Sequence, residues 1–419
     1  MDNVRITVPS RRTTRRNGHV LYGVTRRQLL RGVGALGALA AGGSLAACGT
    51  DPVAEPEGES TATGPTDAPD TIDRSDEEKV LTFDNWPLYI DVDEDDPNSR
   101  PTLEAFQEQT GIQVNYVEAI NDNDEYFAKI SPQLGNGQPI GADLFVVTDF
   151  MVARLIRLGW LQELNQDNLP TVLAELDPAL RDPGFDPGRV YSVPWQSGLT
   201  GIVYNQAAVP GGVTSLQQLL TDESLRGRVT LLSGMRESLP LLATAFGSSL
   251  EELIEGSVED ALTAVEEAVA SGQIRRFTGN DYTADLASGD AVACLGWSGD
   301  AIQLQWEDEN IQFAIPEEGA ELWSDNMVVP VGATHKTNAE RLMDFYYDPR
   351  VAAELAAWVN YICPVPAAKD AMNDIDPELV EEPLIFPSSE DLANAGITRD
   401  ITDDEEQRWT ERWTTIIGA

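Results

Sequence analysis

Residues 80–117 read VLTFDNWPLYIDVDEDDPNSRPTLEAFQEQTGIQVNYV. Val80-Leu81-Thr82-Phe83 has the composition of a short strand. Thr102 to Thr110 places apolar residues at helical spacing and stops at Gly111, and Ile112 to Val117 alternates like a second strand. The alternation continues downstream. A helix is expected over Asp124 to Gly135, a strand over Asp143 to Val147, and a helix through Val152 to Leu158 closed by Gly159. It returns with strands at Arg228–Leu232, Ala291–Leu295 and Met327–Pro330, and with a long helix from Ser257 to Ser271. Strands that take turns with helices predict an α/β fold, and about 340 ordered residues divide naturally into two lobes.

The ends differ from this body. Residues 1–31 hold eight arginines and one acid, and Thr25-Arg26-Arg27-Gln28-Leu29-Leu30-Arg31 is followed by an uncharged, small-residue run to Ala47. Arg26-Arg27 before such a run reads as a twin-arginine export signal, too short and too rich in Gly and Ala for a good spanning helix. Leu45-Ala46-Ala47-Cys48-Gly49 resembles a bacterial lipobox, in which Cys48 is acylated and becomes the new N-terminus. Two acyl chains hold a protein durably at a membrane surface. Residues 48–78 are rich in Pro, Thr, Asp and Glu and bury almost nothing, so they are expected to be a disordered tether.

The chain carries 28 Lys+Arg against 70 Asp+Glu, a formal charge of −42. Eight Arg and one Asp fall in residues 1–47, which leaves 20 against 69 and a charge of −49 for the processed chain. Such a field repels nucleic acid. The acid excess and only four lysines suit a surface adapted to high salt, although a GC-rich genome also depletes lysine. With three Cys and two His, zinc, iron–sulfur and multi-His sites are excluded. No Gly-x-Ser-x-Gly or Walker loop is present, and His335, read as a surface loop residue, is the sole histidine left after processing. No catalytic set, resident metal or cofactor is expected.

Several segments taken in order carry a resemblance: Leu81 to Tyr89, Phe106 to Val114, Tyr191 to Trp195, Ala293 to Gly299, Leu322 to Asp325 and Asn360 to Pro366. Together they resemble bacterial spermidine/putrescine-binding proteins, the extracellular receptors of ABC importers. The resemblance implies a two-lobed periplasmic-binding-protein fold of type II topology, with hinge strands and a central ligand cleft. Lobe 1 is expected over 79–195 and about 318–370, and lobe 2 over 196–317 and about 371–419. It further implies a monomer that delivers a small cationic ligand to a membrane permease and its ATPase.

A polyamine needs carboxylates for its ammonium groups and aromatic faces along its methylenes. The resemblance places Trp86, Trp195, Trp297 and Trp323 at the cleft or hinge, with Asp325 and Glu237 as amine-holding acids. It also marks Tyr89 and Thr148-Asp149-Phe150 on the first lobe. Trp86 and Trp323 fit a cleft best on their own sequence context, since each stands beside a turn or a polar residue. Three departures weaken the ligand assignment. Leu88 and Gly234 stand where acids are expected, and Cys363 where an aromatic is. Asp149 would have to compensate, or the cargo carries fewer charges. A sugar receptor that stacks pyranose rings on the same tryptophans stays an alternative, and a ferric-ion binder using Tyr346-Tyr347 is a weaker one. Cys294 and Cys363 leave both a disulfide and two buried thiols open.

Overall fold

A computed structural model describes residues 72–418 apart from 94, 389 and 400. Arg26, Arg27, Cys48 and most of the acidic tether lie outside the described residues. The tether expected through residue 78 ends earlier. The Arg74 N–H donates to the Thr334 carbonyl at 2.7 Å, the Thr337 N–H donates to Asp73 at 3.1 Å, and Ser75 is buried. Asp73 gathers donors from Ser75 and Thr337, and that is what fastens an otherwise polar segment to the body.

The strands in chain order are β1 (Val80–Asn85), β2 (Gln113–Glu118), β3 (Leu144–Thr148), β4 (Ser192–Asn205), β5 (Val229–Leu232), β6 (Ile274–Thr278), β7 (Ala293–Trp297), β8 (Ile311–Ala314), β9 (Ala320–Val328) and β10 (Ala395–Gly396). They form one sheet of order β2-β1-β3-β9-β4-β7-β5-β6, with β8 on β4 and β10 on β9. β2, β1 and β3 run parallel at one end, and β7, β5 and β6 run parallel at the other. β3, β5 and β7 are buried along their whole length, as parallel strands covered on both faces by helices must be.

The helices begin and end where local chemistry dictates. Pro101 starts Pro101–Thr110, and Gly111 ends it at φ 73°. Asp122 caps Asn123–Leu134 by accepting from the Glu125 N–H. Asp348 caps Pro349–Val359, which closes on Asn360 at φ 59°.

β4 and β9 join the two ends. Asp325–Val328 of β9 pairs with β3, whereas Thr200–Tyr204 of β4 pairs with β7. Between these halves Ser197, Gly198 and Leu199 face Ser324, Trp323 and Leu322. The central strands therefore belong to one lobe at one end and to the other lobe at the other. A third crossing is made by residues 376–402. This strap is pinned by the Cys363 N–H to the Ile385 carbonyl at 3.1 Å, and by the Arg399 N–H to the Leu250 carbonyl at 3.0 Å. It leads into the helix Asp403–Ile417, which docks through Trp413 Nε1 to the Ser233 carbonyl at 2.7 Å and through Arg408 to Glu255.

Cys294 and Cys363 are both buried free thiols. Burial pushes the Cys363 thiol up to about 12, so neither a bridge nor a reactive thiolate is present. His335 is not the free loop residue expected. Its ring lies 3.1 Å from both Asp143 and Glu78 and is mostly covered. Burial alone would lower its pKa, but the Glu78 and Asp143 carboxylates outweigh burial and raise it above the usual imidazole value. A raised folded-state value means that the stabilisation is complete below about pH 6.5 and is lost as pH rises through the folded value. His335→Gln is expected to remove that part of the pH dependence, checked by thermal melts of both proteins between pH 5 and 9. Parallel curves across that range would refute the assignment.

Candidate functional site

Open α/β sheets bind ligands beyond the carboxyl ends of their parallel strands, and here four such ends converge. β1 delivers Trp86 and Tyr89, β3 delivers Thr148 and Phe150, β5 leads to Arg236 and Glu237, and β7 ends at Trp297 and leads to Asp300. The hinge strands add Thr200 from β4 and Glu321, Trp323 and Asp325 from β9. Together they enclose a narrow inner cavity with about 50 Å³ open to the centres of water-sized groups.

Its walls are aromatic. Trp86 meets Trp297 edge-on at 6.0 Å, Trp297 meets Trp323 at 6.4 Å, Trp323 meets Tyr361 at 5.7 Å and Tyr361 meets Tyr89 at 5.1 Å. Trp86 is fixed by its Nε1, which donates to the Val146 carbonyl at 3.0 Å. Leu88 adopts φ 57°, a left-handed turn that side chains rarely take, between Pro87 and Tyr89, which both line the cavity. The ring of Trp323 lies so close over Gly198 that a Cβ there would stand 2.5 Å from it.

The carboxylates are held by donors from both lobes. Asp325 accepts from Thr148 Oγ1 at 2.7 Å. Burial, with the Asp149 charge adding to it, pushes Asp325 up to about 7 against that hydrogen bond. Asp300, in the first turn of the helix Ser298–Gln305, accepts from Asn280 at 2.9 Å and from Tyr282 and Tyr361 at 2.8 Å each. Burial still raises it to about 6. Glu237 accepts from Asn123 Nδ2 at 3.1 Å, and its pKa is raised by burial and by the Asp122 and Asp124 charges. Glu321 is raised to about 7 by burial, although Thr398 donates to it and the Arg236 charge lies near. The Arg236 guanidinium stands 5.4 Å from the Phe150 ring centre.

The lobes also touch across the cleft rim. Ser233 Oγ donates to Asp122 at 2.7 Å, the Asn280 N–H donates to the Asn121 carbonyl at 3.2 Å, and Asn123 spans Glu237 and Thr148.

Eight of the residues singled out from sequence meet in this cavity: Trp86, Tyr89, Thr148, Phe150, Glu237, Trp297, Trp323 and Asp325. Trp195 does not. It is 2% exposed, packed against Phe83 and Tyr346, with its Nε1 on the Tyr89 carbonyl, so it supports the wall from behind. Asp149 is held by Asn326 Nδ2 at 2.7 Å and by the Ser324 N–H at 3.2 Å, and it faces a second, outer cavity and not the inner one. It therefore adds no carboxylate to the inner cavity. Asp300, Tyr361, Glu321 and Arg236 were not singled out. Asp300 follows directly on the Ala293–Gly299 match, and a carboxylate at a helix start after a buried strand was the available signal. Tyr346 and Tyr347 are buried in the core, with the Tyr347 hydroxyl on the Pro194 carbonyl, so they do not form an iron site. Among the described residues no group of His, Cys, Asp and Glu is arranged to hold a metal ion.

Residues 102–387 match the family described as bacterial extracellular solute-binding protein. The chain belongs to that family. This solute-binding protein is 26% identical over 328 residues to the spermidine/putrescine-binding periplasmic protein of Escherichia coli, covering 78% of this chain and 88% of that one. It is 27% identical over 351 residues to the putrescine/cadaverine-binding protein of Pseudomonas aeruginosa, covering 81% and 93%. Its fold matches a putative spermidine/putrescine ABC transporter structure from Listeria monocytogenes with a TM-score of 0.70 at 25% identity, covering 81% and 99%. The fold is thus that of the two-lobed binding proteins, and the family is one of solute binders and not of enzymes.

Gly299 offers a direct test of the site in this solute-binding protein. A Cβ at 299 would stand 2.4 Å from the Tyr361 ring, which both lines the cavity and donates to Asp300. Gly299→Ala is expected to cost about 1–3 kcal/mol, the usual penalty for overpacking, with an altered near-ultraviolet circular dichroism spectrum. Chemical denaturation with an unchanged midpoint would contradict the packing described.

Proposed function

We propose that this solute-binding protein captures a polyamine or a related cationic amine for an ABC importer, closing its lobes on the ligand and presenting it to a membrane permease driven by a cytoplasmic ATPase. The observation that carries the reading is the meeting of Glu237, Asp300 and Asp325 inside an aromatic ring of Trp86, Trp297, Trp323, Tyr361 and Tyr89. Aromatic faces attract ammonium groups by about 0.5–2 kcal/mol each. Buried carboxylates are costly without a cation, and a bound dication supplies one. Arg236 and Glu321 offset each other at the edge of the cavity, which leaves three acids for the ligand. The polyamine names of the relatives support the same reading.

Ligand is held first by Trp86, Tyr89 and Asp325, and Glu237, Trp297 and Asp300 arrive from the other lobe. Isothermal titration with putrescine, spermidine, choline and a sugar panel tests this. Putrescine or spermidine is expected to bind, and Asp300→Asn and Asp325→Asn are each expected to weaken binding at least tenfold. Binding to a sugar alone would overturn the amine assignment.

Affinity is also expected to depend on pH. With carboxyls raised to about 6 and 7, protons bound at low pH must leave before a cation can pair. Affinity should therefore rise from pH 5 to 8, by at least tenfold, and then level off. The same shifts destabilise the ligand-free protein as pH rises, because its native state binds more protons than the unfolded chain. An affinity that is flat across this range would count against carboxylate capture.

The mature protein is further proposed to be a monomer tethered by acylated Cys48 to the outer face of the membrane after twin-arginine export. Cys48→Ser is expected to shift it from the membrane fraction to the soluble fraction. Arg26→Lys with Arg27→Lys should leave the unprocessed precursor in the cytoplasm. A membrane-bound Cys48→Ser protein would refute the anchor.

A further inference from the structure

The inner cavity adjoins a larger one. Thr148, Phe150, Arg236, Glu321 and Trp323 line both, so one face of each of these residues belongs to each compartment. The outer cavity leaves about 640 Å³ to the centres of water-sized groups, against about 50 Å³ inside. The strap of residues 376–402 forms its far wall through Ile385, Phe386 and Ile397, and Phe185 and Ile362 face it from the first lobe.

The chemistry of this outer space differs from that of the inner one. Its surface is largely apolar, and the charged groups that border it are engaged elsewhere. Arg189 donates to Asn326 at 2.7 Å, Asp149 accepts from Asn326, and Arg399 pairs with Glu405 at 2.7 Å. Trp323 borders both compartments, and its indole Nε1 is buried with no hydrogen-bond partner among protein atoms. A buried donor of this kind is costly unless an acceptor meets it. Ammonium groups carry no acceptor. A ligand made only of amines would leave that indole unsatisfied and the outer cavity without an apolar occupant.

We infer that the outer cavity is a second compartment of the ligand site, and that the cargo is an N-acylated polyamine: its ammonium groups lie among Glu237, Asp300 and Asp325, its amide carbonyl accepts from Trp323, and its apolar acyl chain lies under the strap. This rests on the amine reading given above and extends it. The acyl group also accounts for two departures of the sequence from the resemblance. Acylation removes one positive charge from a polyamine, and this protein lacks acids at Leu88 and Gly234 where the resemblance leads one to expect them. A cargo with one charge fewer needs fewer carboxylates.

The probes are N1-(3-phenylpropanoyl)spermidine, which keeps two ammonium groups, and putrescine, which has the same two. Titration calorimetry of the processed protein is expected to show the acylated compound binding at least tenfold more tightly. Two variants locate the chain. Gly184 borders the outer cavity, and a Cβ there meets nothing within 4 Å, so Gly184→Trp adds bulk at that border without a clash at its Cβ. Ile397 is 60% exposed, and Ile397→Glu places a charge at the strap wall. Each is expected to abolish the tenfold advantage and leave putrescine binding within about twofold of the parent. Putrescine binding as tightly as the acylated compound would overturn the proposal, as would an advantage that survives both variants. Binding of neither compound would sink the amine reading itself, and the acyl compartment with it.

Discussion

Withdrawing carboxylates from water is the constraint on which the rest of this structure depends. Glu237, Asp300, Glu321 and Asp325 border one narrow cavity with one arginine among them, and each is pushed toward its protonated form by burial. A charge moved into a protein interior without a partner costs several kcal/mol. The closed arrangement of the lobes is therefore electrostatically expensive until something cationic enters, and an entering cation removes the expense it meets. Differential affinity of this kind is what a ligand needs if it is to shift an equilibrium between open and closed forms. Contacts at the rim, such as Ser233 with Asp122, are hydrogen bonds that can re-form with water, so they guide closure without deciding it.

The scaffold meets this constraint by dividing the acids between the lobes. Asp325 sits where β9 pairs with β3, and Asp300 follows β7, which pairs with the opposite half of β4. Neither lobe alone assembles the cavity. The crossing point is made narrow by Gly198, over which the Trp323 ring lies, and by Ser197 Oγ and Ser324 Oγ at 2.7 Å. Small residues at the crossing let two long strands pass closely while the bulk is carried on one side only. Trp195 completes the support from behind, where its Nε1 holds the backbone of Tyr89.

Much of the fold is legible in the sequence because its parallel strands are short, apolar and separated by capped helices. β1, β3, β5 and β7 appear within a residue or two of the positions read from apolar runs. β4 does not. Its fourteen residues include Gly198, Gly201, Gln196, Ser197 and Thr200, and a strand that carries a hinge and a cavity wall cannot keep the alternation that a core strand shows. The same reason hid Asp300: three neutral donors, Asn280, Tyr282 and Tyr361, come from distant parts of the chain to hold it. Asp149 is the opposite case. It lies beside the right residues in sequence, but the first turn of a helix aims it at Asn326 and Ser324. His335 likewise gains its partners, Glu78 and Asp143, only through tertiary contact.

Departures from a family pattern carry more information about cargo than agreements do, because agreements are shared by relatives that bind different amines. Gly234 illustrates why. Read as a lost acid, it is only a deficit. In the structure, a Cβ at 234 would collide with the Glu237 carboxylate, so the missing side chain is what allows Glu237 to fold back toward Asn123 and Thr148. The acid at 237 and the glycine at 234 are one arrangement: a single carboxylate placed where the backbone makes room for it. Arg236, its neighbour, lies near enough to Glu321 for its charge to be felt there and stands over the Phe150 ring, at the boundary between the carboxylate cavity and the apolar space beyond. The helix start at Met235 therefore sets an acid toward the inner compartment and a cation at the border of the outer one within two consecutive residues, and this step in polarity is the feature a ligand must match along its length.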